Sequence, residues 1–107
     1  MIDSDDTGSE AGPEVPEGGT LRILPIVNRR GLHARASAKF VQTVERFQAA
    51  VTVTRAGETV GGRSIMGLLT LGAAQGTTIA VVAMGEDAEA ALAAIEALLA
   101  DRFGEDE

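Results

Sequence analysis

Apolar side chains between Leu21 and Asp101 follow two different spacings, and the switching between them limits the folds open to the chain. Val51-Thr52-Val53-Thr54 places an apolar residue at every second position, as a half-buried strand does. The stretch from Glu86 to Asp101 instead spaces them by about 3.6 residues, as a helix with one buried face does. The order β-α-β-β-α-β-α predicts an α+β, two-layer open-faced sandwich, with one sheet and its helices on one side.

The predicted strands cover residues 21–27, 51–54, 58–61 and 77–84, and the predicted helices cover 34–47, 65–71 and 86–101. Pro25 has no N–H to donate, so the first strand should lie at a sheet edge or contain a bulge. Ala56-Gly57 is a turn that joins the second and third strands into a hairpin. At least part of the sheet is therefore antiparallel.

The charges divide the 107 residues into one domain with acidic ends. Residues 1–20 contain six acidic residues, no basic residue and few large apolar side chains, which predicts a disordered tail. Residues 21–104 form the predicted domain, with nine basic and seven acidic residues. Residues 105–107 are all acidic and are predicted to be a second, short tail.

Composition also excludes several kinds of site. The chain has no cysteine and one histidine, so thiolate and histidine-rich metal sites are excluded, and no cofactor is predicted. Three phenylalanines are the only aromatic residues and no basic stripe is present, which argues against nucleic-acid binding. No apolar run is long enough to cross a membrane and no secretory signal is evident, so we expect a soluble, cytoplasmic protein.

The only histidine, His33, lies in Gly31-Leu32-His33-Ala34-Arg35, where a strand and turn lead into the first helix. The first N–H groups of a helix have no partner within it and form an anion site. The same positive field disfavours the imidazolium form and keeps the ring nucleophilic. Arg35 adds a planar fork of donors suited to phosphoryl oxygens. These features indicate a histidine that accepts a phosphoryl group.

Two interpretations of His33 stay open on this reasoning, phosphoryl acceptance and simple capping of the helix. No nucleotide-binding loop and no second nucleophile lie nearby in the sequence, which argues against a self-sufficient kinase or hydrolase. A passive carrier, loaded by one partner and unloaded by another, needs no further residues.

The motif around His33, followed by Arg63-Ser64-Ile65-Met66-Gly67-Leu68 and then Leu71-Gly72, resembles the HPr family. HPr is the histidine-containing phosphocarrier of the phosphoenolpyruvate-dependent phosphotransferase system. The resemblance covers residues 21 to about 103 with the element order and spacing intact. It implies a four-stranded antiparallel sheet covered on one face by three helices.

The resemblance also implies roles for individual residues. His33 corresponds to the histidine that accepts phosphate from enzyme I on Nδ1 and passes it to an EIIA-type domain. Arg35 corresponds to an arginine that helps to stabilise the phosphohistidine. Ala36 is a departure, since the family usually has proline there; alanine is itself a strong helix former, so we expect the first helix to form.

Ser64 precedes an apolar run and is a natural helix N-cap. In many relatives the matching serine is phosphorylated by an HPr kinase/phosphorylase, so the resemblance implies a regulatory site at Ser64. Ile65, Met66 and Leu69 are predicted partner contacts, with Leu68 and Leu71 buried; the alternative is that all of them belong to the core.

Three functions remain open from the sequence. The first is a phosphocarrier in which His33 is phosphorylated and Ser64 regulates it. The second is a regulatory HPr-like protein, in nitrogen or carbon signalling, that acts by phosphorylation-dependent docking. The third is a structural domain in which His33 only caps a helix.

Overall fold

A computed structural model of the protein describes residues 14–107. Within these residues seven elements follow in the predicted order: β1 (Thr20–Pro25), α1 (Ala34–Val44), β2 (Ala50–Arg55), β3 (Glu58–Gly61), α2 (Ile65–Thr70), β4 (Thr78–Met84) and α3 (Ala88–Ala100). A short 3-10 turn, Arg102–Gly104, follows α3. The predicted α+β order is confirmed.

The four strands form one antiparallel sheet in the order β1-β4-β2-β3. β1 is an edge strand, which is where a proline is tolerated, and Pro25 pairs with Thr78 at the end of the ladder. β2 and β3 form the predicted hairpin around Ala56-Gly57, where both residues have positive φ angles of 52° and 81°.

The helices cover one face of this sheet and enclose the core. Alternate residues of β4, among them Val81 and Ala83, face α3, which contacts both β1 and β4. The predicted stripe of α3 is buried through Ala91, Leu92, Ile95 and Leu99. The open-faced sandwich predicted from the periodicity is therefore the observed architecture.

α1 ends at Val44, three residues before the predicted end at Phe47. Arg46 and Phe47 donate to the carbonyls of Thr43 and Val44, so the last turn tightens from i→i+4 to i→i+3 bonds. The backbone N–H of Gln48 then donates to the Asp87 carboxylate at 2.8 Å, which turns the chain into β2. The apolar spacing continues past the helix because Phe47 still packs on the core.

The predicted N-terminal tail lies mostly outside the described residues. In the described part, Gly19 donates its N–H to the carbonyl of Pro16, and β1 begins at Thr20. Across residues 14–107, no helix has both the length and the apolar character needed to span a bilayer.

Candidate functional site

The loop before α1 is held in place by a buried glycine and a buried asparagine. Gly31 has a φ of +69°, and a Cβ there would lie 2.5 Å from the carbonyl oxygen of Ala73. The N–H of Leu32 donates to that same carbonyl at 2.9 Å. Asn28 is fully buried and donates from Nδ2 to the carbonyl of Gly31 at 2.8 Å. The backbone leading to His33 is therefore tied to the segment that follows α2.

His33 is the N-cap residue of α1, with an extended backbone at φ −78° and ψ −176°. Its carbonyl accepts the first helical hydrogen bond, from Ser37 at 2.8 Å. Its side chain makes no capping hydrogen bond. The ring therefore stands at the positive end of the helix dipole without making a capping hydrogen bond, which contradicts the alternative that the side chain caps the helix. Ala36 is buried in the first turn, and α1 forms as expected without the proline.

The C-terminal segment returns to this loop across the end of α1. Phe103 is buried and anchors the segment in the core. Lys39 of α1 donates from Nζ to the carbonyl of Phe103 at 2.6 Å. Arg29 donates from its backbone N–H to the carbonyl of Glu107 at 2.9 Å and from Nη1 to the Glu107 carboxylate at 2.5 Å. Residues 105–107, predicted to be a free tail, thus contact the His33 loop.

Glu105 makes the contacts that reach the histidine. One carboxylate oxygen accepts from Asn28 Nδ2 at 3.0 Å, and the other pairs with His33 Nε2. The side chains of His33 and Glu105 are 23% and 17% exposed, so the pair is shielded from bulk water. Burial raises the pKa of the Glu105 carboxyl, but hydrogen bonds from His33 and Asn28 and the charges of His33 and Arg30 outweigh it and hold the pKa below 4.5.

His33 lies in a cleft of about 750 Å³ that the C-terminal segment helps to form. We call this the His33 cleft; its lining residues are Arg29, Arg30, His33, Arg35, Lys39, Gly104, Glu105, Asp106 and Glu107. The structure thus brings Arg35 to the same cleft as His33, as the sequence predicted. Four of the lining residues are basic and three are acidic, and the cleft includes His33 at the N-terminus of α1, where free N–H groups favour an anion such as phosphate.

Ser64 lies at the start of α2, which packs beside α1. Its hydroxyl accepts from the N–H of Gly67 at 2.9 Å, so the predicted N-cap is present, and the residue is exposed. Arg63 donates to the carbonyls of Ala49 and Phe47, both at 3.3 Å. The Arg63 guanidinium therefore binds backbone carbonyls, although it is adjacent to Ser64 in the sequence.

Four of the five apolar residues in and beside α2 divide as predicted between core and surface, and Leu69 is intermediate. Leu68 and Leu71 are buried, whereas Ile65 is 39% and Met66 is 71% exposed. Leu69 is only half-buried. We call Ser64, Ile65 and Met66 the α2 face. The alternative in which all these apolar residues belong to the core is thereby excluded.

The sequence did not reveal Asn28, Glu105 or Glu107 as parts of the site. Glu105 is 72 positions away from His33, and no local pattern joins them. Asn28 lies outside the Gly31–Arg35 motif, and nothing in the sequence marks it as part of the site. Among residues 14–107, no group of three or more metal-ligating side chains is placed to hold a metal ion.

Comparison with protein families finds one match over most of the chain. The family model described as "PTS HPr component phosphorylation site" matches residues 22–101. The chain is similar to the phosphocarrier protein HPr of Xylella fastidiosa, with 47% identity over 83 residues, 78% of this chain and 93% of that protein. It is also similar to the phosphocarrier protein NPr of Shewanella violacea, with 39% identity over 78% of this chain and 92% of that protein.

The fold has a counterpart among solved structures. The crystal structure of HPr-C-His from Thermoanaerobacter tengcongensis superposes with a TM-score of 0.78 and 38% sequence identity. The match covers 82% of this chain and 99% of that one. The agreement extends over the sheet, the helices and the order in which they occur.

Proposed function

Because this chain belongs to the HPr family of phosphocarrier proteins, we propose that His33 accepts a phosphoryl group from phosphorylated enzyme I and passes it to an EIIA-type domain. One observation carries this proposal. The single histidine stands at the N-terminus of α1 inside a cleft lined by four basic and three acidic side chains, and its ring makes no capping hydrogen bond. A structural histidine needs none of these surroundings.

The transfer step follows from the geometry of the ring. His33 Nε2 is engaged by Glu105, so Nδ1 is the nitrogen left to attack phosphorus. The Nδ1–phosphorus bond forms while the bond to the donor breaks, and the electron pair of that bond remains on the donor. In the onward step a nucleophile of the acceptor attacks phosphorus, and the Nδ1–phosphorus bond breaks with its electron pair returning to Nδ1. The protein therefore acts as a carrier and regenerates its free histidine in each cycle.

Arg35 and the α1 N–H groups would stabilise the transferred group. Arg35 is exposed and lines the cleft, and a guanidinium can donate two parallel hydrogen bonds to phosphoryl oxygens. The unpaired N–H groups of the first helical turn add donors and a positive potential. Positioning and charge are the main contributions a protein makes to phosphoryl transfer.

The α2 face supplies the proposed docking surface and its regulation. Met66 and Ile65 are apolar and exposed, and a flexible methionine suits a surface that accepts unrelated partners in turn. Ser64 adjoins them and is accessible to an HPr kinase/phosphorylase. A phosphate there would place negative charge on the docking surface, and we propose that this slows exchange with partners.

A regulatory output is the second candidate, because the chain is also similar, with 38% identity and a TM-score of 0.63, to the solved structure of the Bacillus subtilis catabolite repression containing protein Crh. Both outputs use phosphorylated His33, so they differ in whether the phosphoryl group is passed on. Exchange with an EIIA domain of a sugar-transport system supports the first, whereas docking that depends on phosphorylation without onward transfer supports the second.

The test is phosphoryl transfer from phosphoenolpyruvate through purified enzyme I to the wild type and to His33→Ala. We expect an acid-labile phosphate on the wild type alone, because phosphohistidine hydrolyses in acid, and we expect it to move to an added EIIA domain. Circular dichroism of His33→Ala should match the wild type. Phosphate on a folded His33→Ala protein, or an acid-stable phosphate on the wild type, would contradict the proposal.

A further inference from the structure

The C-terminal segment places a carboxylate on the nitrogen of His33 that is not used for transfer. Glu105 Oε2 pairs with His33 Nε2, and Glu105 Oε1 is held by Asn28 Nδ2 at 3.0 Å. Asn28 is fully buried and also donates to the carbonyl of Gly31, so its amide orientation is fixed by two acceptors. Asn28, in the loop that carries His33, therefore orients the Glu105 carboxylate.

The rest of the segment holds Glu105 at that place. Phe103 is buried, Lys39 donates to the Phe103 carbonyl, and Gly104 takes a φ of +78° between Phe103 and Glu105. Beyond Glu105, Arg29 binds both the carboxylate and the carbonyl of Glu107. Contacts on both sides of Glu105 therefore fix the position of its backbone beside His33.

An ionised carboxylate only accepts hydrogen bonds, so the proton of a neutral His33 must lie on Nε2. Nδ1 then carries the lone pair. We propose that Glu105 is a positioning residue that holds His33 in the Nε2–H tautomer and stabilises the positive charge its ring acquires on phosphorylation. This inference rests on the proposed function, since it concerns the same histidine.

The charge balance of the step explains why a carboxylate is useful there. Nδ1 donates its lone pair to phosphorus while Nε2 keeps its proton, so the ring becomes an imidazolium that bears the phosphoryl group. No proton has to leave during the transfer. The Glu105 carboxylate lies against the Nε2–H edge of the ring, where its negative charge offsets the positive charge of the imidazolium. In a Ser-His-Asp triad, the carboxylate orients the catalytic histidine in the same way. Loss of the carboxylate should therefore disfavour the phosphorylated form.

The first test follows the Nε2 proton by hydrogen–nitrogen correlation NMR of the full chain, at a pH where the imidazole is neutral. The variants are Glu105→Gln, which keeps an acceptor but no charge, and a chain that ends at Gly104, which keeps Phe103. The matched control is Asp101→Asn, which removes one charge just before the C-terminal segment, at an exposed residue that does not line the His33 cleft. We expect a strongly deshielded, slowly exchanging Nε2 proton in the wild type and Asp101→Asn. In the truncated chain we expect faster exchange and a population of the Nδ1–H tautomer.

The second test measures the rate of transfer from phosphorylated enzyme I. We expect Glu105→Gln to be slower by about tenfold, the lower end of what one opposite charge contributes to a charged form, and Asp101→Asn to change by less than about twofold. Equal rates for wild type and Glu105→Gln would overturn the inference, even with an altered proton signal, because the pair would then be only structural. An Nε2 proton unchanged in the truncated chain would overturn it as well.

The two tests separate this inference from the proposed function. If the wild type takes no phosphate, the proposed function fails, and the Nε2 proton still decides whether Glu105 sets the tautomer. If the wild type is phosphorylated and all variants behave alike, Glu105 has no positioning role and the phosphocarrier function stands.

Discussion

The His33 cleft and the α2 face belong to neighbouring helices, yet they are built differently. The cleft joins the loop before α1, the helix itself and the C-terminal segment, and its contacts are charged hydrogen bonds. The α2 face comes from one short stretch, and its exposed side chains are mainly apolar. A site for group transfer needs charges fixed in space, whereas a surface for several partners needs accessible and adaptable side chains.

This difference predicts which substitutions change the chemistry and which change partner binding. Substitutions in the cleft should alter transfer with little effect on docking. Substitutions on the α2 face should alter docking with the bond-making step intact. The following predictions run from the largest expected effect to the smallest.

Two glycines at the edges of these regions should differ sharply in their tolerance of alanine. Gly31 and Gly72 both have positive φ, +69° and +62°, so either substitution strains the backbone by roughly 1 kcal/mol. A Cβ at Gly31 also lies 2.5 Å from the Ala73 carbonyl oxygen, whereas Gly72 has open space. We expect Gly31→Ala to lower the free energy of unfolding by about 3 kcal/mol or more, measured by urea denaturation.

Gly72→Ala is the matched control, and it should cost only the backbone strain. Similar losses for both variants would show that the loop before α1 is not held against Ala73 as described.

Arg35→Ala should slow phosphoryl transfer by about tenfold, because Arg35 lines the His33 cleft and is the proposed donor to the phosphoryl oxygens. The rate is measured by rapid quench with phosphorylated enzyme I. Arg22→Ala is the control, since Arg22 pairs with Glu89 and Glu96 and does not line the His33 cleft. Equal decreases in the transfer rate of the two variants would show that Arg35 contributes only through the net charge of the protein.

Met66→Ala should weaken the binding of enzyme I by about fivefold, or roughly 1 kcal/mol, because an exposed apolar contact is lost. The dissociation constant is measured by calorimetry, and single-turnover transfer at saturating enzyme I should stay at the wild-type rate. Leu69→Ala is a comparison at a half-buried position of the same helix, and it should reduce stability as well. Unchanged binding in Met66→Ala would remove the α2 face from the docking surface.

Ser64→Asp should slow transfer by a few-fold, because it adds a negative charge to the α2 face and mimics part of the effect of a phosphate. Ser64→Ala should transfer at the wild-type rate while losing about 1 kcal/mol of stability with the cap to Gly67. Steady-state transfer and thermal unfolding of both variants check this. Equal transfer rates would remove the regulatory proposal for Ser64.

The contribution of Glu105 to stability should depend on pH with a defined sign. Its pKa is lower in the folded protein than the ordinary value of 4.5, so the ionised form stabilises the fold. The stability advantage of the wild type over Glu105→Gln should be fully present above about pH 4.5 and decline as the pH falls through the folded-state pKa. Thermal unfolding of both proteins across this range measures it. An advantage that is the same at every pH would contradict the assigned ionic contacts.

The parts of the fold that depend on local spacing were predictable from the sequence. β3 was predicted from Glu58 to Gly61 as observed, because the Ala56-Gly57 turn and the alternation beside it are local signals. The missing N–H of Pro25 predicted an edge strand or a bulge, and β1 is an edge strand. The end of α1 was predicted too late, because Phe47 keeps its core contact after the helical hydrogen bonds have tightened.

The site was predictable only where its residues adjoin in the sequence. His33 and Arg35 share one motif, and the structure places them in one cleft. Glu105 reaches His33 because Phe103 is buried and Lys39 binds the Phe103 carbonyl. No pattern of apolar or charged residues in the sequence indicates either contact. Three terminal acids resembled a solvated tail, and only the folded arrangement shows the Arg29 and Asn28 donors that bind them.

The most direct test of the account is NMR of the isotope-labelled protein after phosphorylation by enzyme I, which identifies the nitrogen bonded to phosphorus. The account predicts phosphorus–nitrogen coupling at Nδ1 of His33, with the proton retained on Nε2. Coupling at Nε2, or phosphate on any other residue, would contradict the assignment of His33 Nδ1 as the acceptor and of Glu105 as its partner.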